Sequence, residues 1–261
     1  MTLVRLERHA YFLNNMKYIN DIIYYQNQKL DVIIPDCKVL GCFVHFHGGG
    51  IVEGDKSDVQ DLMNHMANKG FIMINANYSL YPNTKFPEFL VEAAHAVKYA
   101  FDNVERFGGD KNHIYLSGQS AGAYIIMMLA TNPKYLKGVG LSNKQIRGYV
   151  SDSGQMIDHF NVQKYENNVD PWVQRITELS PMYFITPDVD LSSILLIFYE
   201  HDMLNRKEQN LMLYNLVKHY NKDIDINCVE LKGNHVEGTC KKDEDNEYPY
   251  VKVVLDWINR K

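Results

Sequence analysis

The strongest constraint on the fold of this chain is a junction near its middle. His113-Ile114-Tyr115-Leu116-Ser117 is a short β-prone run that leads straight into Gly118-Gln119-Ser120-Ala121-Gly122, and the stretch from Ala121 to Thr131 that follows carries no charged residue. A helix that is apolar all round has to be buried, so the junction reads as strand, sharp turn and buried helix. The glycines at 118 and 122 leave room where a Cβ would collide with neighbouring backbone, and they let Ser120 sit at the apex in a strained conformation. The helix, expected to begin at Ser120, points its positive end at that serine.

Strands and helices alternate through the rest of the chain. Asn20 to Tyr25 and Lys29 to Ile34 read as a β-hairpin. Val39 to Phe46 and Gly70 to Ala76 are apolar runs of the kind that parallel sheets bury on both faces, and further strands are predicted at Ile146 to Ser151, Ser193 to Tyr199 and Ile224 to Leu231. Helices are predicted at Asp58 to Asn68, Lys207 to Tyr220 and Pro249 to Asn259. From Glu88 to Arg106, Leu90, Ala93, Ala94, Val97, Ala100, Phe101 and Val104 form one apolar face, and Gly108-Gly109 closes that helix. This alternation predicts an α/β fold with right-handed crossovers, a mostly parallel sheet and helices on both faces. Only 155–187 breaks the pattern. Asp158, Asn161, Asn167, Asn168, Asp170, Pro171 and Pro181 interrupt it, and the expectation is one domain over 1–261 with 155–187 as a small cap or insertion over the site.

Three groups of residues complete a nucleophilic site around Ser120. His47-Gly48-Gly49-Gly50 follows a buried strand and precedes the Ser120 turn. The N–H groups of Gly48 and Gly49, with that of Ala121, are expected to receive an oxyanion, while His47 and Gly50 support the loop. A serine hydroxyl needs a histidine to take its proton and a carboxylate to orient that histidine. Asp202 falls just past the strand Ser193 to Tyr199, where α/β sheets carry functional groups; Glu200 is the weaker candidate because it lies nearer the strand. His235 stands in a loop two residues after Gly233. His219 falls in a helix and His201 adjoins the acid, which leaves His235 as the base. The order Ser120, Asp202, His235 is the one this arrangement requires.

Composition excludes other classes. Of the 261 residues 46% are hydrophobic and 23% charged, and the net charge of −5 argues against a nucleic-acid or anionic-membrane partner. No stretch approaches the roughly 18 apolar residues of a membrane span. Met1 to His9 alternates charge with apolar residues and offers no secretory core, so the chain is expected to begin near Met1 and stay in the cytoplasm. Cys37, Cys42, Cys228 and Cys240 match no zinc or redox spacing and are expected to be reduced. His45 and His47 share a strand face, but with no third ligand they do not make a metal site.

With these residues in view, the chain resembles the α/β-hydrolase superfamily, and within it the hormone-sensitive-lipase-like and small carboxylesterase group. The resemblance runs from about Leu30 to the C-terminus. It rests on His47-Gly48-Gly49-Gly50, Asn77-Tyr78-Ser79-Leu80-Tyr81-Pro82, Gly108-Gly109-Asp110, the turn at Ser120, Ser180-Pro181, Asp202 and His235. Family members commonly carry arginine where this chain has Ser79 and aspartate where it has Gln119. Gly50-Ile51-Val52-Glu53-Gly54-Asp55-Lys56 is also similar to kynurenine formamidases and compact feruloyl or acetyl esterases. The resemblance implies an eight-stranded, mostly parallel sheet and hydrolysis of acyl esters without cofactor or metal.

The function expected is therefore cleavage of small carboxylic esters through an acyl-enzyme, with a small acyl ester or amide as the partner molecule and room for a homodimer. Arylformamide hydrolysis by the same machinery is the alternative. A hydrolase-derived binding protein without catalysis ranks below both, because all three members of the triad are present.

Overall fold

The computed structural model describes residues 10–13 and 15–260. Met1 to His9, read above for a leader, lie outside the described residues. Strands β1 (Ala10–Leu13), β2 (Met16–Tyr25) and β3 (Gln28–Ile34) form an antiparallel flank, and β3 pairs antiparallel with β5 (Phe71–Ala76). From β5 onward the sheet is parallel through β4 (Gly41–Phe46), β6 (Ile114–Gln119), β7 (Gly148–Asp152), β8 (Ser193–His201) and β9 (Ile226–Asn234). The spatial order is β1-β2-β3-β5-β4-β6-β7-β8-β9. β2 to β9 supply the eight strands expected. β1 is an additional edge strand of four residues, too short for its sequence alone to show the alternation of a strand.

Burial explains which strands are central. Every residue of β4, β5 and β7 is buried, whereas β9 alternates between partly covered and exposed positions, as an edge strand does. Successive side chains of β4 point to opposite faces. Cys42, Val44 and Phe46 enter the core beneath α2 (Glu88–Asn103), α3 (Ala121–Thr131) and α6 (Arg206–Tyr220), while Phe43 enters the core beneath α1 (Gln60–Asn68) and α8 (Pro249–Asn259). The shorter helices are α4 (Lys134–Gly138), α5 (Phe160–Asn167) and α7 (Glu237–Cys240). No described helix is long and apolar enough to cross a membrane.

Three expectations are refined. α3 starts at Ala121, with Ser120 outside its first turn at φ 53°. The helix predicted to reach Arg106 leaves the α conformation after Asn103 and tightens into a 3-10 turn over Val104–Phe107, ahead of Gly108 at φ 85°. The segment 155–187 contains α5 and a 3-10 turn at Pro181–Phe184; Met156, Val162 and Met182 anchor it in the core without a regular period, and side-chain bonds fix the backbone between them. Asp158 accepts from the backbone N–H and the hydroxyl of Thr177, each at 2.8 Å, and the buried Tyr124 of α3 donates to the Leu179 carbonyl at 2.7 Å.

The chain order places the site. After β4 the chain builds β5 on one side of it, then crosses to lay β6 on the other. In a parallel sheet a crevice opens at the carboxyl ends of the strands where the winding reverses. Here that reversal lies between β4, which ends at Phe46 before the His47 loop, and β6, which ends at Gln119 before Ser120.

Candidate active site

At the end of β6 the backbone turns so tightly that only glycine fits on either side. A Cβ on Gly118 would lie 2.4 Å from the Gly122 carbonyl, and one on Gly122 would lie 2.0 Å from the Phe46 carbonyl oxygen. Ser120 adopts φ 53°, ψ −110°, and its N–H donates to the Asp152 carbonyl of β7 at 2.8 Å, which ties the strained turn to the neighbouring strand.

Asp202 and His235 meet Ser120 from the next two strands. The Ser120 hydroxyl donates to His235 Nε2 at 2.9 Å, and His235 Nδ1 donates to Asp202 Oδ1 at 2.5 Å. A carboxylate only accepts, so the ring proton sits on Nδ1 and leaves Nε2 free to accept from the serine. Asp202 also accepts from the Ser153 hydroxyl at 2.8 Å, the Met203 N–H at 2.7 Å and the Tyr199 N–H at 3.2 Å. Burial pushes the Asp202 carboxyl up, but the bonds from His235, Ser153 and Met203 outweigh it and hold the group below the usual carboxylate range. The imidazole of His235 remains about a quarter exposed while the Asp202 side chain is almost wholly covered.

The His47–Gly50 loop closes on the same point. Gly48 packs against Ser120, such that a Cβ there would stand 3.5 Å from the serine Cβ. Gly49 turns at φ 94°, where any side chain would strike the Glu53 backbone, and its carbonyl accepts from the Val52 and Glu53 N–H groups. The N–H groups of Gly48, Gly49 and Ala121 have no acceptor among the described residues. His47 bonds its own loop, Nδ1 donating to the Gly48 carbonyl at 2.8 Å, and its ring stacks on Tyr78 at 4.4 Å. Burial holds its pKa below the ordinary histidine value. The Gly50 carbonyl accepts from Asn161 Nδ2 at 2.8 Å, so α5 is attached directly to the loop.

The motifs singled out around 50–56 and 77–82 form one bonded unit. Tyr78 donates to the His47 carbonyl, Tyr81 N–H to the Ile51 carbonyl at 2.8 Å, and Lys56 N–H to Asn77 Oδ1 at 2.6 Å. Lys56 itself pairs with the buried Asp31 of β3 at 2.8 Å. Ser79, where the family commonly has arginine, bonds Glu92 through both its N–H and its hydroxyl. His45 donates to or accepts from Ser117 at 2.9 Å, buried between β4 and β6. His219 is exposed on α6 and His201 on β8, and the imidazole that bonds Ser120 is that of His235. A concavity of about 820 Å³, lined in part by Lys111, Lys144, Arg147, Asp223 and Asp225, opens at the opposite end of the sheet and has no part in this arrangement.

Sequence reasoning missed three residues. Ser153, at φ 54°, orients Asp202; Arg206, buried, donates to the Ser153 carbonyl at 3.1 Å; and Asp152 lies at the end of β7, fully buried. Their one available signal was position, because Ser151-Asp152-Ser153 directly follows a predicted parallel strand.

A twisted, mostly parallel sheet with a strained serine between strand and helix, faced by a histidine–aspartate pair, defines an α/β-hydrolase of the carboxylesterase group. Known structures share the fold. Esterase B from Lactobacillus Rhamnosis superposes with a TM-score of 0.76 over 97% of this chain and 87% of that one at 14% identity. Thermogutta terrifontis esterase 2 does so with a TM-score of 0.74 over 95% of both chains at 15% identity. The BD-FAE family model matches residues 30–165, and the chain belongs to the BD-FAE family. Among sequence relatives, isoprenylcysteine alpha-carbonyl methylesterase ICME of Arabidopsis thaliana is 31% identical over 169 residues, which cover 59% of this chain and 39% of that protein. Esterase LipQ of Mycobacterium tuberculosis is 30% identical over 83 residues, 32% of this chain and 20% of that one. The chain thus aligns with about two fifths or less of the length of these curated relatives.

Proposed function

We propose that this chain is a serine hydrolase that cleaves small carboxylic esters through an acyl-enzyme, as a single domain with 155–187 acting as its cap. The observation that carries the proposal is the continuous relay from Ser120 Oγ through His235 to Asp202, at 2.9 and 2.5 Å. In this reading His235 Nε2 takes the Ser120 proton as the oxygen attacks the ester carbonyl. The unpaired N–H groups of Gly48, Gly49 and Ala121 receive the oxyanion, in a crevice where such donors are worth far more than in water. Asp202, ionised and bonded on both oxygens, stabilises the imidazolium. His235 then returns the proton to the leaving alcohol, and water repeats the sequence to release the acid.

The relatives' names describe ester hydrolases and methylesterases, which supports placing esters ahead of formamides. Ser120→Ala is expected to abolish turnover of acetyl and butyryl esters, and labelling by a fluorophosphonate, in a protein that still folds. Residual activity above about a thousandth of wild type would overturn the assignment of Ser120 as nucleophile.

A further inference from the structure

Directly behind the relay lies a second buried carboxyl that the reaction does not touch. Asp152 ends β7, beside the strand that carries Asp202, and is wholly inaccessible to solvent. Its Oδ2 lies 3.2 Å from the Thr239 hydroxyl, the Tyr199 hydroxyl faces the same carboxyl, and Oδ1 has no hydrogen-bond partner among the described residues. Thr239 in turn donates to the Val236 carbonyl at 2.7 Å, and the Thr239 N–H reaches that same oxygen at 3.1 Å. Val236 follows His235 directly and holds φ 52°, a left-handed conformation that a β-branched residue keeps only when its surroundings enforce it.

The one proton of the Thr239 hydroxyl has two acceptors within reach, the Val236 carbonyl at 2.7 Å and Asp152 Oδ2 at 3.2 Å. A threonine hydroxyl carries one proton, and a backbone carbonyl can only accept. The Val236 carbonyl is the nearer acceptor, and with the Thr239 proton on it the 3.2 Å contact to Oδ2 is a hydrogen bond only when Asp152 carries the proton.

We propose that Asp152 is a positioning residue: a neutral carboxylic acid that donates to Thr239, fixes Thr239 on the Val236 carbonyl, and so sets the loop that aims His235 at Ser120. The proposal rests on His235 being the base of the reaction. The titratable groups that face Asp152 are Tyr199 from β8, Asp202 just past it, Cys240 from α7 and Tyr250 from α8, and none of them brings a positive charge. Burial pushes the carboxyl up to about 8.

Two substitutions and one spectrum test this. Asp152→Asn keeps an N–H donor of the same shape, and its kcat is expected to stay within about threefold of wild type, whereas Asp152→Leu removes the donor and is expected to lose about 10²-fold in kcat with KM little moved. Wild-type kcat is expected to fall as pH rises through 8, and that of Asp152→Asn is not. Independently of activity, the infrared difference between wild type and Asp152→Asn at pH 6 should show the carbonyl band of a protonated carboxylic acid. Absence of that band overturns the proposal. So does an Asp152→Asn protein that is folded by circular dichroism yet as slow as Asp152→Leu, since that result would assign the role to the charge. Should the leucine variant fail to fold, the spectrum and the asparagine variant decide. Wild type that neither cleaves esters nor labels at Ser120 while showing the band breaks the esterase reading and leaves the proton on Asp152.

Discussion

Two aspartates end two neighbouring strands of the same sheet, and the fold puts them to opposite chemistry. Asp202, past β8, accepts from an imidazole, a hydroxyl and two backbone N–H groups and is held ionised. Asp152, at the end of β7, has hydroxyls on one side, an unpartnered oxygen on the other and the negative Asp202 nearby, and is held neutral. Residue type and depth are nearly the same; the number of N–H donors aimed at each carboxyl differs. Pairs of titratable groups pushed apart by their surroundings are how one site keeps both an ionised and a protonated carboxyl at neutral pH.

Substitution separates the two most sharply. Asp202→Asn keeps the shape of the side chain but presents the wrong partner to His235 Nδ1, and is expected to lower kcat about 10⁴-fold, where the same exchange at Asp152 is nearly silent. Equal losses at both positions in steady-state assays would erase the distinction. Ser153→Ala removes one of the donors that keep Asp202 ionised and oriented, with an expected loss of about tenfold in kcat/KM, consistent with one charge-assisted hydrogen bond of about 1.5 kcal/mol. An unchanged rate would show that the backbone N–H groups of Tyr199 and Met203 suffice.

The smallest effect expected is on stability, where the two carboxyls act at opposite ends of the pH scale. The pKa of Asp202 is lowered from 3.8, so its contribution is present above that value and is lost as pH falls through the native pKa. The pKa of Asp152 is raised, so the native state binds the extra proton between 3.8 and about 8; its contribution is full below 3.8 and is lost as pH rises to about 8. Asp152→Asn is therefore expected to melt at the same temperature as wild type near pH 4 and several degrees higher near pH 8, as read by thermal unfolding. A gap that narrows toward alkaline pH would contradict the sign.

Strain marks the same end of the molecule. Ile51, Ser120, Ser153 and Val236 are all non-glycine residues with φ between 52° and 62°, and they sit in the loops after β4, β6, β7 and β9. Each conformation costs about 1–3 kcal/mol in isolation, and each is held by a specific bond: Tyr81 N–H on the Ile51 carbonyl, Ser120 N–H on the Asp152 carbonyl, Ser153 N–H on the Ile197 carbonyl, and the Thr239 hydroxyl on the Val236 carbonyl. No residue type announces these positions, since isoleucine and valine are poor choices for a left-handed backbone.

Much of the fold and the candidate site was legible without coordinates. The charge-free run Ala121 to Thr131 is the helix α3 to the residue, Pro249 to Asn259 is α8, and Ser120, Asp202 and His235, ranked by chain order and strand ends, are the three side chains that meet. These could be read because hydrophobic periodicity and glycine sterics are local properties. The segment 155–187 could not, because Asn161 on Gly50 and Glu166 on Tyr81 and Phe86 join residues about 80 to 110 positions apart. The same limit applies to the two aspartates. By itself the sequence determined that a serine stands between a strand and a buried helix, with an acid and a histidine after it. Only the tertiary structure decided which aspartate is charged, because ionisation depends on the donors and neighbouring charges that distant segments bring to each carboxyl.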